Sequence, residues 1–175
     1  MDILATEESE THAMNVKRIL FPTDFSHHND AALDYASTLA AESGAKLFIV
    51  HVDERYEVSA AMGEAGYVYP LSFDANNRDE IRERLSKVVP THPEVKYEHH
   101  YLEGAPLTEI VKFAKRENVD LIVMASHGRT GLSRLVMGSI AEGVMRRAPC
   151  PVLVVKQPTE VPEPVYDVGS HVLQE

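Results

Sequence analysis

Glycine, hydroxyl and arginine residues are concentrated in one stretch of the chain. It reads Ala125-Ser126-His127-Gly128-Arg129-Thr130-Gly131, then Leu132 to Met137, then Gly138-Ser139. Glycines let backbone N–H groups close around an anion. A helix starting at Ser139 adds unpaired donors and the positive end of a dipole. Ser126, Thr130 and Ser139 contribute hydroxyl donors. Residues 126–147 hold Arg129, Arg134, Arg146 and Arg147 against the single acid Glu142, a local net charge of +3. The pattern suits phosphate. An ordinary strand-to-helix connection, with glycines serving only tight turns, accounts for the same residues without a ligand.

Other chemistry finds less support. No G-x-x-x-x-G-K-[ST] is present, so the Walker loop of efficient nucleoside triphosphatases is missing, and no G-x-G-x-x-G follows a strand. Ser139, Asp24 and His127 make a triad on paper, but no G-x-S-x-G elbow supports a hydrolase. Among nine histidines, the adjacent pairs His27-His28 and His99-His100 have diverging rings, and no pair has convincing i,i+4 spacing for zinc. Cys150, between two prolines, reads as a small buried hydrophobe. We therefore expect no catalytic or metal-ligating residues.

The elements that would position the loop follow from the apolar pattern. Ile19-Leu20-Phe21, Leu47 to Val52, Leu121 to Ala125 and Val152 to Val155 read as buried strands, and Val95 to Leu102 as a more polar edge strand. Ala31, Ala32, Tyr35, Ala36, Leu39 and Ala40 fall at helical spacing, with Ser26 placed to cap them and Gly44 to stop them. A second helix runs from near Asn76 through Ile81, Leu85 and Val88-Val89 to Pro90. A third begins at Pro106 with Leu107, Ile110, Val111 and Ala114 on its apolar face, and a fourth spans Ser139 to about Arg147. Segment 53–75 reads as a long excursion or lid. Alternation of strands and helices implies a parallel sheet covered on both faces. In such sheets ligands bind beyond the strand C-termini, near the point where strand order reverses. That selects Pro22-Thr23-Asp24, Val52-Asp53 and the loop after Ala125. Asp24 can accept hydrogen bonds from a ribose or base, or cap the turn that follows it. His51 reads as a buried, hydrogen-bonded histidine.

Composition sets the outer limits. The chain has 175 residues, 44% apolar and 25% charged, which is enough for one full domain. Its net charge of -10 argues against a nucleic-acid partner. Residues 1–15 and 157–175 hold four acids each and no base, so the intervening 16–156 carries only -2. We expect an acidic N-terminal arm (1–15), one domain (16–156) and an acidic, Pro-containing tail (157–175). A single cysteine excludes an intramolecular disulfide. No run approaches the ~20 apolar residues that span a bilayer. The acidic start lacks a basic-then-apolar leader, so the expectation is a cytoplasmic protein without membrane insertion. The short apolar last strand, 152–155, invites pairing with a second copy, unless the tail buries it.

Ile19-Leu20-Phe21-Pro22-Thr23-Asp24-Phe25-Ser26, the stretch from Leu121 to Gly131, Gly138-Ser139 and Ala148-Pro149-Cys150-Pro151-Val152-Leu153-Val154-Val155 together resemble the universal stress protein family, in order and over about residues 16–156. The resemblance implies a three-layer α/β fold, like that of the adenine nucleotide alpha hydrolases. Its open parallel five-stranded sheet would have order 3-2-1-4-5. It also implies a homodimer through antiparallel pairing of the last strands, and membership of the ATP-binding branch. That branch carries glycine, two residues, glycine, nine residues, then glycine and serine or threonine. Gly128 and Gly138-Ser139 match, while Ala125 replaces the leading glycine. An added methyl costs little where the backbone is strand-like, but blocks a phosphate if it faces the pocket.

By matching position, Pro22, Thr23 and Asp24 would meet the ribose or adenosine end, and Val52 the adenine. Met124, Ala125, Ser126, His127, Gly128, Arg129, Gly138, Ser139 and Ile140 would surround the rest, chiefly the phosphates. The expected ligand is ATP, with or without Mg2+, although AMP or another adenine nucleotide fits much of the same pocket. The expected function is an ATP-binding stress-response regulator acting on an unidentified protein partner, rather than an efficient enzyme. The alternatives are a nucleotide-free dimeric stress or partner-binding protein, and a slow ATPase.

Overall fold

The computed structural model describes residues 15–54, 75–126 and 137–156. The expected arm before residue 15, most of the 53–75 excursion, the tail from 157, and His127, Gly128 and Arg129 lie outside the described residues.

Five strands and four helices alternate: β1 (Arg18–Pro22), α1 (Asn29–Ser43), β2 (Lys46–Asp53), α2 (Ala75–Ser86), β3 (Tyr97–Glu103), α3 (Pro106–Arg116), β4 (Leu121–Ala125), α4 (Ser139–Arg147) and β5 (Val152–Val155). All strand pairings are parallel, in the order β3-β2-β1-β4-β5. β1 is central, with Leu20 opposite both Phe48 of β2 and Ile122 of β4. The Asp120 carboxylate fastens the start of this centre by accepting the N–H groups of Lys17 and Arg18 at 2.8 and 2.9 Å.

Side chains alternate across each strand, so the sheet separates two apolar cores. Ile19, Phe21, Leu47, Ile49, Val123 and Ala125 pack with Ala32, Ala36 and Ala40 of α1 and Leu85 of α2. Leu20, Phe48, Val50, Ile122 and Met124 pack with Ile110 and Phe113 of α3 and Ala141 and Val144 of α4. Helices therefore cover both faces, giving the expected three layers.

Four local expectations are corrected. Ser26 does not cap α1: the N-cap position is His28, without a side-chain cap, and Ser26 instead belongs to a turn organised by Asp24. Tyr35, placed on the apolar stripe, is 56% exposed, and Ser37 is buried in the helix. Ser37 satisfies its hydroxyl by donating to the Leu33 carbonyl at 2.7 Å. The second helix ends at Ser86, short of Pro90, with a turn at Lys87. Proline disfavours helix in the residue before it, and the freed Val88 carbonyl accepts a hydrogen bond from His99 Nε2 at 2.7 Å. The third helix buries Phe113, which the apolar stripe read from sequence omitted. By contrast, Gly44 ends α1 in the left-handed region, at φ 68°, where its lack of a Cβ removes the penalty.

Candidate functional site

Strand order reverses between β1 and β4, and of the expected site residues Pro22, Thr23 and Asp24 lie at the end of β1 while Met124, Ala125 and Ser126 lie at the end of β4. Pro22 closes β1 and Thr23 continues it, its N–H donating to the Val50 carbonyl at 2.8 Å. The chain then turns sharply. Phe25 adopts φ 62°, an uncommon conformation for a residue with a side chain. Three contacts hold it there. Its N–H donates to Thr23 Oγ1 at 3.1 Å, its ring stacks on His51 with centroids 4.2 Å apart, and the Arg84 guanidinium lies over the ring, 4.6 Å from its centroid. His51 is buried in β2 and donates from Nδ1 to the Thr23 carbonyl at 2.8 Å, which fixes the protonated nitrogen because a carbonyl only accepts. The reading of His51 as a buried, hydrogen-bonded residue agrees with this arrangement.

Inside this turn, one oxygen of the Asp24 carboxylate accepts two donors. The Ser26 N–H reaches it at 2.9 Å, and the Asn29 side-chain amide donates to the same oxygen. The turn-capping reading of Asp24 is therefore realised by this oxygen. Asn29 is the first residue of α1 and is buried. Neither Asn29 nor Phe25 was singled out as a site residue from sequence. The available signal was the spacing Asp24-x-Ser26-x-x-Asn29, in which a carboxylate precedes a turn N–H by two residues and a helical amide by five.

On the opposite side of the switch point, Ser126 is buried, its N–H donating to the Val155 carbonyl at 2.9 Å. Its own carbonyl accepts the Gly138 N–H at 2.9 Å. This bond joins the end of β4 to the start of α4. Gly138 provides no side-chain cap for α4, so Ser139 and Ile140 begin a helix whose first N–H groups have no intrahelical acceptor. Val52, Met124 and Ile140 all belong to the core on the α3/α4 side. Ala125 belongs to the opposite core, with Ile19 and Phe21, and is 7% exposed within a regular strand. Its methyl thus faces away from the wall made by Met124.

Of the four arginines, Arg129 and Arg134 lie outside the described residues. Arg146 and Arg147 occupy the last turn of α4, about 10 Å along the helix from Ser139. Arg146 is paired there with Glu142 at 2.8 Å. Among the described residues no group of three or more His, Cys, Asp or Glu side chains could hold a metal ion. Nor is any described helix long and apolar enough to cross a membrane. Cys150 is half-buried against the α3/α4 core, and burial raises its thiol pKa.

An open parallel α/β sheet whose strand order reverses beside β1 defines a class of proteins that bind small ligands at the strand C-termini. Comparison with known proteins narrows this class. The sequence model of the Universal stress protein family matches residues 15–156, and the chain belongs to that family. Universal stress protein MJ0531 of Methanocaldococcus jannaschii is 39% identical over 144 residues, which cover 81% of this chain and 83% of that protein. Universal stress protein MJ0577 of the same organism is 32% identical over 154 residues, covering 81% of this chain and 95% of that protein. The solved structure of MJ0577 superposes with a TM-score of 0.64 over 83% of this chain and 99% of its own, at 28% identity. A universal stress protein from Archaeoglobus fulgidus, solved in complex with dAMP, has the same fold. Its TM-score is 0.58 at 24% identity, over 82% of this chain and 100% of that one.

Proposed function

We propose that the protein binds an adenine nucleotide, ATP in the first instance, at the switch point between β1 and β4, and acts as a stress-response regulator rather than an efficient enzyme. The observation that carries the reading is the joining of Ser126 to Gly138, which sets the uncapped start of α4 beside the end of β4. Helix N-termini of this kind attract phosphate. Pro22, Thr23 and Asp24 would meet the ribose end, Asp24 as an acceptor for its hydroxyls. Val52 would offer backbone groups to the base, with Met124 and Ile140 as apolar surface beside it. Ser126, His127, Gly128, Arg129, Gly138 and Ser139 would surround the phosphates. Ala125 is compatible with this arrangement because its methyl packs into the other core. Mg2+ accompanying ATP would rest largely on phosphate oxygens and water. The dAMP complex of the Archaeoglobus fulgidus relative accords with an adenine ligand.

The test is mass analysis of small molecules released from gently purified protein, followed by titration with ATP and AMP. Recovered adenine nucleotide or saturable ATP binding supports the reading. A nucleotide-free protein that millimolar ATP does not bind overturns it. Steady phosphate release that is abolished by Asp24→Ala or Ser139→Ala would instead favour a slow ATPase.

A homodimer through 152–155 belongs to the same proposal, in a cytoplasmic setting and with a protein partner that senses the nucleotide. It draws support from Leu153, which is 37% exposed on β5, the edge strand of the sheet. If the protein binds no nucleotide, dimerisation and partner binding remain as its whole function.

A further inference from the structure

We propose that Asn29 is a positioning residue for nucleotide binding, acting through the carboxylate of Asp24. The inference rests on the nucleotide reading above and adds to it a residue outside the family's loop pattern. Asn29 is 8% exposed and sits at the first position of α1, where its backbone N–H donates to the Ser26 carbonyl at 3.0 Å. Its side-chain amide donates to Asp24 Oδ1 and lies 3.3 Å from Ser26 Oγ. The Ser26 N–H supplies a second donor to the same carboxylate oxygen.

A free aspartate at the end of a strand can turn about both side-chain torsions, and a ligand must stop that motion in order to use it. Here the motion is already stopped. Two donors of different origin converge on one oxygen, one from the turn and one from the helix, so both the position and the plane of the carboxylate are fixed. The turn itself is held by the contacts of the Phe25 ring with His51 and Arg84. Asn29 suits the role because its amide donates without charge. Lysine or arginine there would neutralise the acceptor a ribose hydroxyl needs, and aspartate would repel it. Ordering one side chain on binding typically costs enough to change affinity about 3- to 10-fold.

The experiment is calorimetric titration of the full chain with ATP, using the wild type, Asn29→Ala, Asp24→Ala and the double variant. We expect Asn29→Ala to weaken ATP binding about 3- to 10-fold in the wild-type background and to have no effect in the Asp24→Ala background. A helix-starting role alone would give equal losses in both backgrounds and would overturn the inference. Unchanged affinity in Asn29→Ala would do the same. Wild-type protein that binds no ATP would remove the nucleotide reading itself, which separates the two failures. Should Asn29→Ala not fold, Asn29→Ser retains a good helix start while its hydroxyl stops one atom short of Asp24, and the same non-additivity is expected. Resonances of the Asn29 side-chain amide in the nucleotide-free chain provide a second readout. They must shift on Asp24→Ala, and an unshifted amide counts against the proposal.

Discussion

The N–H of Gly138 donates to the carbonyl of Ser126 at 2.9 Å, so a single backbone bond closes the connection between β4 and α4. The backbone of Gly138 lies at φ -62° and ψ 143°, values open to any L-residue. Glycine is not needed there for conformation, and the remaining reason for it is close approach. Gly138→Ala is expected to unfold in urea within about 0.5 kcal/mol of wild type. It should nevertheless bind ATP about 10-fold or more weakly, because the new methyl stands where a phosphate would approach the helix start. Equal ATP affinity in the two proteins, measured by calorimetry, would refute the close-approach account.

Ala125 gives the opposite expectation. Its methyl is packed with Ile19 and Phe21, on the side of the sheet away from Met124. Ala125→Gly therefore should not improve ATP binding, although it restores the glycine of the family's loop pattern. It should cost about 1 kcal/mol of stability, through lost burial and a looser strand. Denaturant unfolding checks the cost, and a 10-fold gain in affinity would show that the methyl obstructs the ligand.

The thiol of Cys150 titrates above its ordinary range, first because burial disfavours the thiolate and then because Asp120 is close, while a backbone hydrogen bond from Ile122 acts in the opposite sense. A raised folded-state value means that the folded protein holds this proton more tightly than the unfolded chain. The resulting stabilisation is complete below the unfolded thiol value of about 8.5 and is lost as pH rises through the folded one. Between pH 8 and 10, wild-type stability should fall more steeply than that of Cys150→Ala. Parallel profiles would contradict this, as would alkylation by iodoacetamide at pH 7.5 as fast as that of a free cysteine.

Leu153 offers a direct test of assembly. A glutamate in its place adds charge to an exposed position of β5 and removes little from either core. Leu153→Glu is expected to sediment as a monomer with a nearly unchanged thermal midpoint, whereas the wild type sediments as a dimer. A wild-type monomer at tens of micromolar would defeat the dimer proposal.

The sheet was legible in the sequence because a strand covered on both faces must be apolar almost throughout. Ile19 to Phe21 and Leu121 to Ala125 have no competing reading. The boundaries set by long-range contacts were less accessible. Nothing local to Val88 indicates that its carbonyl will serve His99 on β3, and nothing in the α1 stripe exposes Tyr35 in preference to its neighbours. The site divides in the same way. Glycine and hydroxyl spacing marked the β4–α4 connection, and strand-end placement marked Asp24. The contacts of Phe25 with His51 and Arg84 join a turn to a strand and a helix 26 and 59 residues away in sequence, so no window of sequence contains them. The sign of the Ala125 substitution also required the fold, because a strand's side chains change sides at every residue.

The two margins of the sheet differ in character. β3 presents Glu98 bound to Lys46, a pairing that holds the Glu98 carboxyl below its usual range, with His100 beside it. β5 presents Val152 and Leu153, with no charged residue along its length. A ribbon with two welcoming margins can add copies indefinitely. One with a single welcoming margin has a valence of one, and a twofold pairing consumes that margin on both partners. In the proposed dimer, growth then stops at two copies. There the polarity of an outlying strand sets the ceiling on assembly size, and the charged border of β3 disfavours fibre formation.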